Sequence, residues 1–179
     1  MKNKLKGTKT EQNLLTAFVG ESEARNKYTY FASKAKKDGY EQISKIFSET
    51  ADNEKEHAKI WFKLFSEIGH TKDNLKQAIE TETYEAETMY PTFAKEAEEE
   101  GFSAIAKLFT EVSEVESEHA KRYAKLLKNI ENHKVFKDDE EVEWHCLNCG
   151  YVHKGKTAPE CCPACSHEQK YFERYPNNY

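Results

Sequence analysis

The stretch Phe47-Ser48-Glu49-Thr50-Ala51-Asp52-Asn53-Glu54-Lys55-Glu56-His57-Ala58 decides the fold. Its apolar side chains recur in the run Phe47, Ala51, Ala58, Trp61, Phe65, Ile68, at alternating steps of four and three once Glu54 is counted as a member. That is the seam of a helix packed in a bundle. Glu54 therefore takes a core slot, and His57 lies one turn on over the same face. Glu116-Ser117-Glu118-His119 repeats the pattern within Phe109, Val112, Glu116, His119, Tyr123, Leu127 (or Leu126), Ile130. An unpaired carboxylate in a core costs several kcal/mol. Two such intrusions, each with an imidazole beside it, call for positive charge between them, and a metal pair supplies it.

Working outward, four long helices are expected, over about 10–37, 40–68, 75–99 and 102–132, with a connector at about 70–74. Gly39, Gly69 and Gly101 punctuate them. The two hairpins are copies. Phe31/Phe93, Ala35/Ala97, Gly39/Gly101, Ile43/Ile105, Phe47/Phe109, Glu54/Glu116 and His57/His119 all match at an offset of 62. A duplicated helix pair folds naturally into a four-helix bundle with pseudo-twofold symmetry. The symmetry locates two further carboxylates, Glu21 in the stripe Phe18, Glu21, Ala24, Tyr28, Phe31, and Glu82 in Leu75, Ile79, Glu82, Ala86, Met89, Phe93.

The offset between Glu21 and Glu82 is 61, against 62 between Tyr28 and Tyr90. Helix three thus carries one extra residue between Glu82 and Tyr90, and a π-bulge or kink is expected there, near Pro91. In this register Glu85 stands where the first copy has Ala24, a fifth core-facing carboxylate. Glu23, Glu56, Glu80, Glu87, Glu114 and Glu118 fall off the stripes and read as solvated.

One Glu from each of two helices and Glu-x-x-His from each of the other two is the scheme of di-iron and di-manganese carboxylate proteins. Carboxylates bridge hard cations and change denticity as charge changes, and neutral imidazoles cap each end. The competing reading is a set of exposed glutamates in a Glu-rich chain; duplication and core register weigh against it.

All five cysteines lie between Cys146 and Cys165. Cys146-Leu147-Asn148-Cys149 and Cys162-Pro163-Ala164-Cys165 are two Cys-x-x-Cys knuckles, which together make a tetrahedral four-thiolate site. The pattern alone admits zinc or iron. A zinc clip that only folds the tail is the bland reading, but a redox-inert clip is an odd companion for a redox-capable bundle. Cys161 is assigned no role. Lys134 to Glu143 reads as a charged linker, and short strands and turns follow. The expected division is a helical domain over 1–137, then linker and tail domain over 138–179.

Composition narrows the partners. The chain has 179 residues and a net charge of −5, with a third of its residues charged. No Lys/Arg cluster or aromatic stripe supports nucleic acid, and no apolar run nears the ~20 residues that span a bilayer. Met1 to Lys9 is basic but lacks the apolar segment of a signal peptide, so a cytoplasmic location is expected. There are seven glycines and no Gly-x-Gly, so no dinucleotide-binding fingerprint is encoded, and reducing equivalents must come from outside.

These segments, together with Gly20-Glu21-Ser22-Glu23-Ala24-Arg25-Asn26, Glu82-Thr83-Tyr84-Glu85 and Met89-Tyr90-Pro91, closely resemble the rubrerythrins nearly end to end. The resemblance implies a ferritin-like four-helix bundle followed by a rubredoxin-like domain. It implies Glu21, Glu54, His57, Glu82, Glu85, Glu116 and His119 as ligands of a di-iron centre. It also implies Cys146, Cys149, Cys162 and Cys165 as ligands of one further iron, with zinc able to take that place in vitro. Glu85 would exchange with a histidine, here His57, as the iron pair changes oxidation state. The implied activity is a peroxidase in oxidative-stress defence, reducing hydrogen peroxide to water. Electrons would come from an NAD(P)H-linked reductase through the rubredoxin iron, in a homodimer where one subunit's rubredoxin domain approaches its partner's di-iron site. The alternatives are a ferroxidase that handles or stores iron, a zinc-clipped binding module and an O₂-activating oxygenase. The thiolate site has no purpose in storage, and no substrate pocket is evident for an oxygenase.

Overall fold

The computed structural model of the chain describes residues 2–176. A short helix α1 (Lys2–Leu5) precedes α2 (Lys9–Lys37) and α3 (Glu41–Phe65). Next come α4 (Thr71–Tyr84), a π-helical segment (Glu85–Met89), α5 (Tyr90–Glu99) and α6 (Ser103–Glu131). Strands β1 (Lys137–Cys146), β2 (Val152–Thr157) and β3 (Phe172–Arg174) form an antiparallel sheet ordered β2-β1-β3. The fold class is the one expected, mainly α and ferritin-like, with a small β/loop domain at a four-cysteine cluster. The chain divides into two compact units, Met1–Ile68 and Gly69–Tyr179.

Each unit contains one helical hairpin, and the copies match in detail. In the first, the rings of Tyr28 and Phe47 lie 6.1 Å apart and those of Phe31 and Phe47 5.6 Å. In the second, Tyr90–Phe109 and Phe93–Phe109 are 6.0 and 5.6 Å. Both hairpin turns close alike. Tyr40 N–H bonds the Ala35 carbonyl and Gly39 N–H that of Lys36; Phe102 and Gly101 do the same to Ala97 and Glu98. This six-to-one pattern needs a left-handed residue, and Gly39 (φ 87°) and Gly101 (φ 85°) supply it. A Cβ at Gly101 would meet no atom within 4 Å, so only backbone strain opposes substitution there. Gly101→Ala is expected to lower stability by about 1 kcal/mol. Gly20→Ala, inside α2 with equal space, should raise it by about 0.5–1 kcal/mol. Urea unfolding of both variants checks the pair, and equal signs would refute the account.

Two boundaries differ from expectation. The second helix ends at Phe65 rather than near Ile68, because Ser66 turns to extended backbone (φ −121°, ψ −170°). The expected connector 70–74 is mostly helix. His70 is the extended N-cap of α4, Asp73 sits in its first turn, and Asn74 locks the entry by accepting from Gly69 N–H (2.9 Å) and donating to the Gly69 carbonyl (3.0 Å). The non-helical connection is thus only Ser66–His70. The charged stretch 134–143 is also not all linker. From Lys137 it is strand β1, whose residues Val142, Trp144 and Cys146 alternate inward.

The π segment falls where the extra residue was expected. Tyr90 N–H bonds the Glu85 carbonyl five residues back. Ser113 of α6 donates to the Ala86 carbonyl at 2.8 Å.

The tail domain has its own core of Trp144, Cys146, Ala158, Cys162 and Phe172, each almost fully buried. The Trp144 indole N–H donates to the Gly155 carbonyl at 2.9 Å, so burying it leaves no orphan donor.

Candidate metal centres

In the first hairpin Glu21, Glu54 and His57 converge, each offering one ligand atom within 4.8 Å of the others; in the second, Glu82, Glu116 and His119 do the same. His57 Nδ1 lies 2.8 Å from Glu54 Oε2, and His119 Nδ1 lies 2.7 Å from Glu116 Oε2 and 3.3 Å from Glu82 Oε2. The three-residue spacing in a helix creates the His57–Glu54 and His119–Glu116 contacts, whereas His119–Glu82 joins α6 to α4. Nδ1 is the nitrogen each histidine turns toward its carboxylates.

The triads differ in electrostatics. The hydrogen bond with His57, then one shared with the Glu21 carboxyl, holds Glu54 below the ordinary carboxylate range. Glu82 is pushed up, first by burial and then by its contact with the Glu116 carboxylate, against the opposing pull of His119. Tyr90 is raised too, by burial first and then by the negative charges of Glu85, Glu116 and Glu82. It stays a protonated hydrogen-bond donor beside the second triad. Two carboxylates and one imidazole per triad suit hard divalent or trivalent cations, so the residues fit an iron pair.

Glu85 is the first residue of the π segment and belongs to neither triad. Glu23, Glu56 and Glu118, read as solvated, pair with Lys27, Lys59 and Lys121. The Ser113 bond to the π segment was not foreseen, although a signal existed. Ser113 faces Ala51 in the repeat alignment, a polar mismatch in an otherwise apolar position.

In the tail, the Sγ atoms of Cys146 and Cys165 are 3.8 Å apart and those of Cys149 and Cys162 3.7 Å. A tetrahedron with metal–sulfur bonds of about 2.3 Å has edges of about 3.8 Å, so the four thiols already have the spacing a metal requires. Both knuckles turn through left-handed residues, Gly150 (φ 80°) and Ser166 (φ 58°), whose N–H groups bond the Cys146 and Cys162 carbonyls. The backbone N–H of His167 is the main cause that lowers the Cys165 thiol to about 6. Cys149 receives similar help from Tyr151, but contacts with Cys165, Cys146 and Cys162, together with burial, push it up to about 12. Cys165 thus releases its proton easily, while Cys149 holds its own until a cation neutralises the cluster. Cys161 lies outside the cluster, exposed, and its backbone bridges to Glu168.

Paired Glu/Glu/His triads on duplicated hairpins, followed in the chain by a four-thiolate domain, define a non-haem di-iron protein with an appended rubredoxin-like site. The rubrerythrin family model matches residues 12–127, and that of the rubrerythrin rubredoxin-like domain matches residues 144–173. The chain is similar to rubrerythrin-1 of Clostridium acetobutylicum, with 52% identity over 98% of each chain. It is also similar to the rubrerythrin of Porphyromonas gingivalis, with 49% identity over 100% of this chain and 96% of that one. Among solved structures, partially reduced nigerythrin is 34% identical with a TM-score of 0.37, covering 94% of this chain and 87% of that one. This chain belongs to the rubrerythrin family.

Proposed function

We propose that the chain is a peroxidase that reduces hydrogen peroxide to water in oxidative-stress defence. An external NAD(P)H-linked reductase supplies its electrons, and it works as a cytoplasmic homodimer. The observation that carries this reading is the presence, in one chain, of two Glu/Glu/His triads and a ready four-thiolate tetrahedron. Among the described residues no helix is long and apolar enough to cross a membrane. We assign residues 1–137 to the di-iron bundle and 138–179 to the linker and rubredoxin-like domain. Glu21, Glu54, His57, Glu82, Glu85, Glu116 and His119 are assigned to the di-iron centre, and Cys146, Cys149, Cys162 and Cys165 to the single iron.

Held by Glu21, Glu54, His57, Glu82, Glu85, Glu116 and His119, an iron pair would supply two-electron reduction of the O–O bond, and an iron held by Cys146, Cys149, Cys162 and Cys165 would supply one-electron transfer. Hydrogen peroxide then takes up two protons and leaves as two waters. The protein's part is to hold both cations and manage charge. Glu54 keeps its charge to lower pH than an ordinary carboxylate because His57 and then Glu21 hydrogen-bond to it. Glu82, the more basic carboxylate, accepts a proton more readily and can return it as charge changes. Tyr90 keeps its hydroxyl proton among the carboxylates of Glu85, Glu116 and Glu82. In the tail, backbone N–H groups of Tyr151 and His167 point at the Cys149 and Cys165 sulfurs and would stabilise negative charge there.

The test is anaerobic. Fully reduced protein receives half an equivalent of peroxide per chain and then an excess, and the visible spectrum is followed. Rapid oxidation of the bundle iron, followed by the ferric thiolate colour, is expected. Bundle oxidation by O₂ but not by peroxide would favour the ferroxidase reading. A colourless tail would favour zinc and end the relay.

A further inference from the structure

The π segment leaves one carbonyl without a ladder partner. In a π ladder each carbonyl faces the N–H five residues on. The Glu85 carbonyl finds Tyr90 there. The Ala86 carbonyl faces position 91, which is proline and has no N–H. Its α-helical partner would be Tyr90, whose N–H is already committed to Glu85. Ala86 is buried, and a buried carbonyl without a donor is costly. Ser113 of α6 fills the gap, its hydroxyl donating to that carbonyl at 2.8 Å. Helical Ser and Thr hydroxyls commonly bond back to their own helix, as Ser22 does to Phe18, Ser48 to Ser44 and Thr110 to Ala106. Ser113 reaches across to another helix instead. Ser44 does so too, to Ala32, but within a stretch of α2 whose α ladder is unbroken.

The first hairpin is the internal control. Helix α2 is α-helical from Lys9 to Lys37. In the repeat alignment Pro91 corresponds to Thr29 and Ser113 to Ala51. Thr29 has the N–H that Pro91 lacks, and the buried Ala51 offers no hydroxyl. The surplus residue, the proline and the serine thus occur together in one copy and are all absent from the other. The consequence reaches the second triad. Helix α6 carries Glu116 and His119 within two turns after Ser113, while Glu82 and Glu85 flank the start of the π segment. His119 already ties α6 to Glu82 at 3.3 Å. The charges of Glu85, Glu116 and Glu82 all bear on Tyr90, so Glu85 lies on the triad's side of its helix. The Ser113 bond is a second tie between the same two stretches of chain, made to the residue next to Glu85.

We propose that Ser113 is a positioning residue for Glu85: its hydroxyl replaces the N–H missing at Pro91, holds the π register at Glu85–Met89 and so keeps Glu85 beside the second triad. Without that hydroxyl, the Glu85 and Ala86 carbonyls compete for the one Tyr90 N–H. Transfer of that N–H to Ala86 makes an α-type bond, displaces the surplus residue toward α4 and turns Glu85 about the helix axis. The role of Glu85 toward an iron pair rests on the di-iron reading above; the hold of Ser113 on the register rests on the fold alone.

Full-length chains carrying Ser113→Ala, Pro91→Ala and both changes test this. Amide exchange of the metal-free proteins is followed residue by residue by NMR. In Ser113→Ala the Tyr90 amide should exchange about 10-fold faster or more relative to the amides of α3, with helical circular dichroism kept. Pro91→Ala supplies an N–H at position 91 that can serve the Ala86 carbonyl in the π register. That new amide should be protected, and in the double variant Tyr90 should regain near-native protection. A hydroxyl whose loss merely left a void would not be rescued by a change at Pro91. Native-like Tyr90 protection in Ser113→Ala, or no rescue in the double variant, overturns the proposal. Iron then reads the effect on Glu85. Ser113→Ala should keep its bundle iron, while peroxide oxidises the reduced pair about 10-fold more slowly, and the double variant should regain the native rate. An unchanged rate in Ser113→Ala, with the native chain reactive, means that Ser113 does not position Glu85. A native chain that binds no bundle iron, or whose reduced iron ignores peroxide, defeats the peroxidase reading instead, while the exchange data still judge the register.

Discussion

A Cys162→Ser chain is expected to lose its tail metal and the fold of the tail domain, while its helices remain. The domain's buried core is Trp144, Cys146, Ala158, Cys162 and Phe172, so two of its five members are thiols of the metal cluster. So small a core cannot hold a domain unaided. Small thiolate metal sites contribute about 10–16 kcal/mol of apparent binding free energy, and where the site forms only on folding that is folding free energy. Cys161 cannot substitute for its neighbour. Its backbone is bridged to Glu168, and its Sγ is outside the tetrahedron. Metal analysis should fall by one equivalent per chain. Trp144, fully buried in the native domain, should become solvent-exposed and red-shift its emission. Helical circular dichroism should be nearly unchanged. Peroxide should still oxidise the bundle iron, but turnover with an external electron donor should stop. Retention of the tail metal, or full donor-linked turnover, would contradict the account.

The legible parts of this chain were those where one side chain breaks a local rule. Glu54 and Glu116 interrupt apolar stripes, and the structure places each in a triad. The 61-against-62 offset marked a surplus residue, and the π segment accommodates it. Paired Cys-x-x-Cys knuckles gave the tetrahedron, because cysteine spacing and knuckle geometry are both local. What could not be read depends on longer-range or collective causes. Thr71-Lys72-Asp73-Asn74 is polar and resembles a loop, yet Asn74 ties back to Gly69 and starts the helix early. Asp138 to Glu141 are acidic enough to pass for linker, yet β1 begins at Lys137, and its pairing with β2 is irregular until Val142. The opposite shifts of Glu54 and Glu82 are also invisible in a repeated motif. They follow from burial and hydrogen bonding that differ between the two copies.

That difference yields a second large effect, with a sign that depends on metal. In the metal-free protein, Glu82→Gln is expected to raise stability at neutral pH, and Glu54→Gln to lower it. Glu82 has a folded pKa above its unfolded value, so its favourable contribution is complete below the unfolded value and is lost as pH rises through the folded one. At neutral pH its ionised form is a net cost, which glutamine removes. A rise in Tm of about 2 °C is expected, fading at acid pH where Glu82 is protonated in both states. Glu54 has a depressed folded pKa, so its contribution is present above the unfolded value and is lost as pH falls through the folded one. Its replacement should therefore destabilise at neutral pH and become neutral in acid. With iron the two signs converge. Each variant removes an anionic ligand, and since loss of an outer-shell partner alone costs about 10–100-fold in metal affinity, loss of a direct ligand should cost more. Thermal unfolding across pH, with and without iron, reads all four outcomes. If both variants shift the metal-free midpoint in the same direction at neutral pH, the two triads are electrostatically alike and the assignment of Glu82 as the more basic carboxylate fails. If iron binding survives either substitution undiminished, that carboxylate is not a ligand.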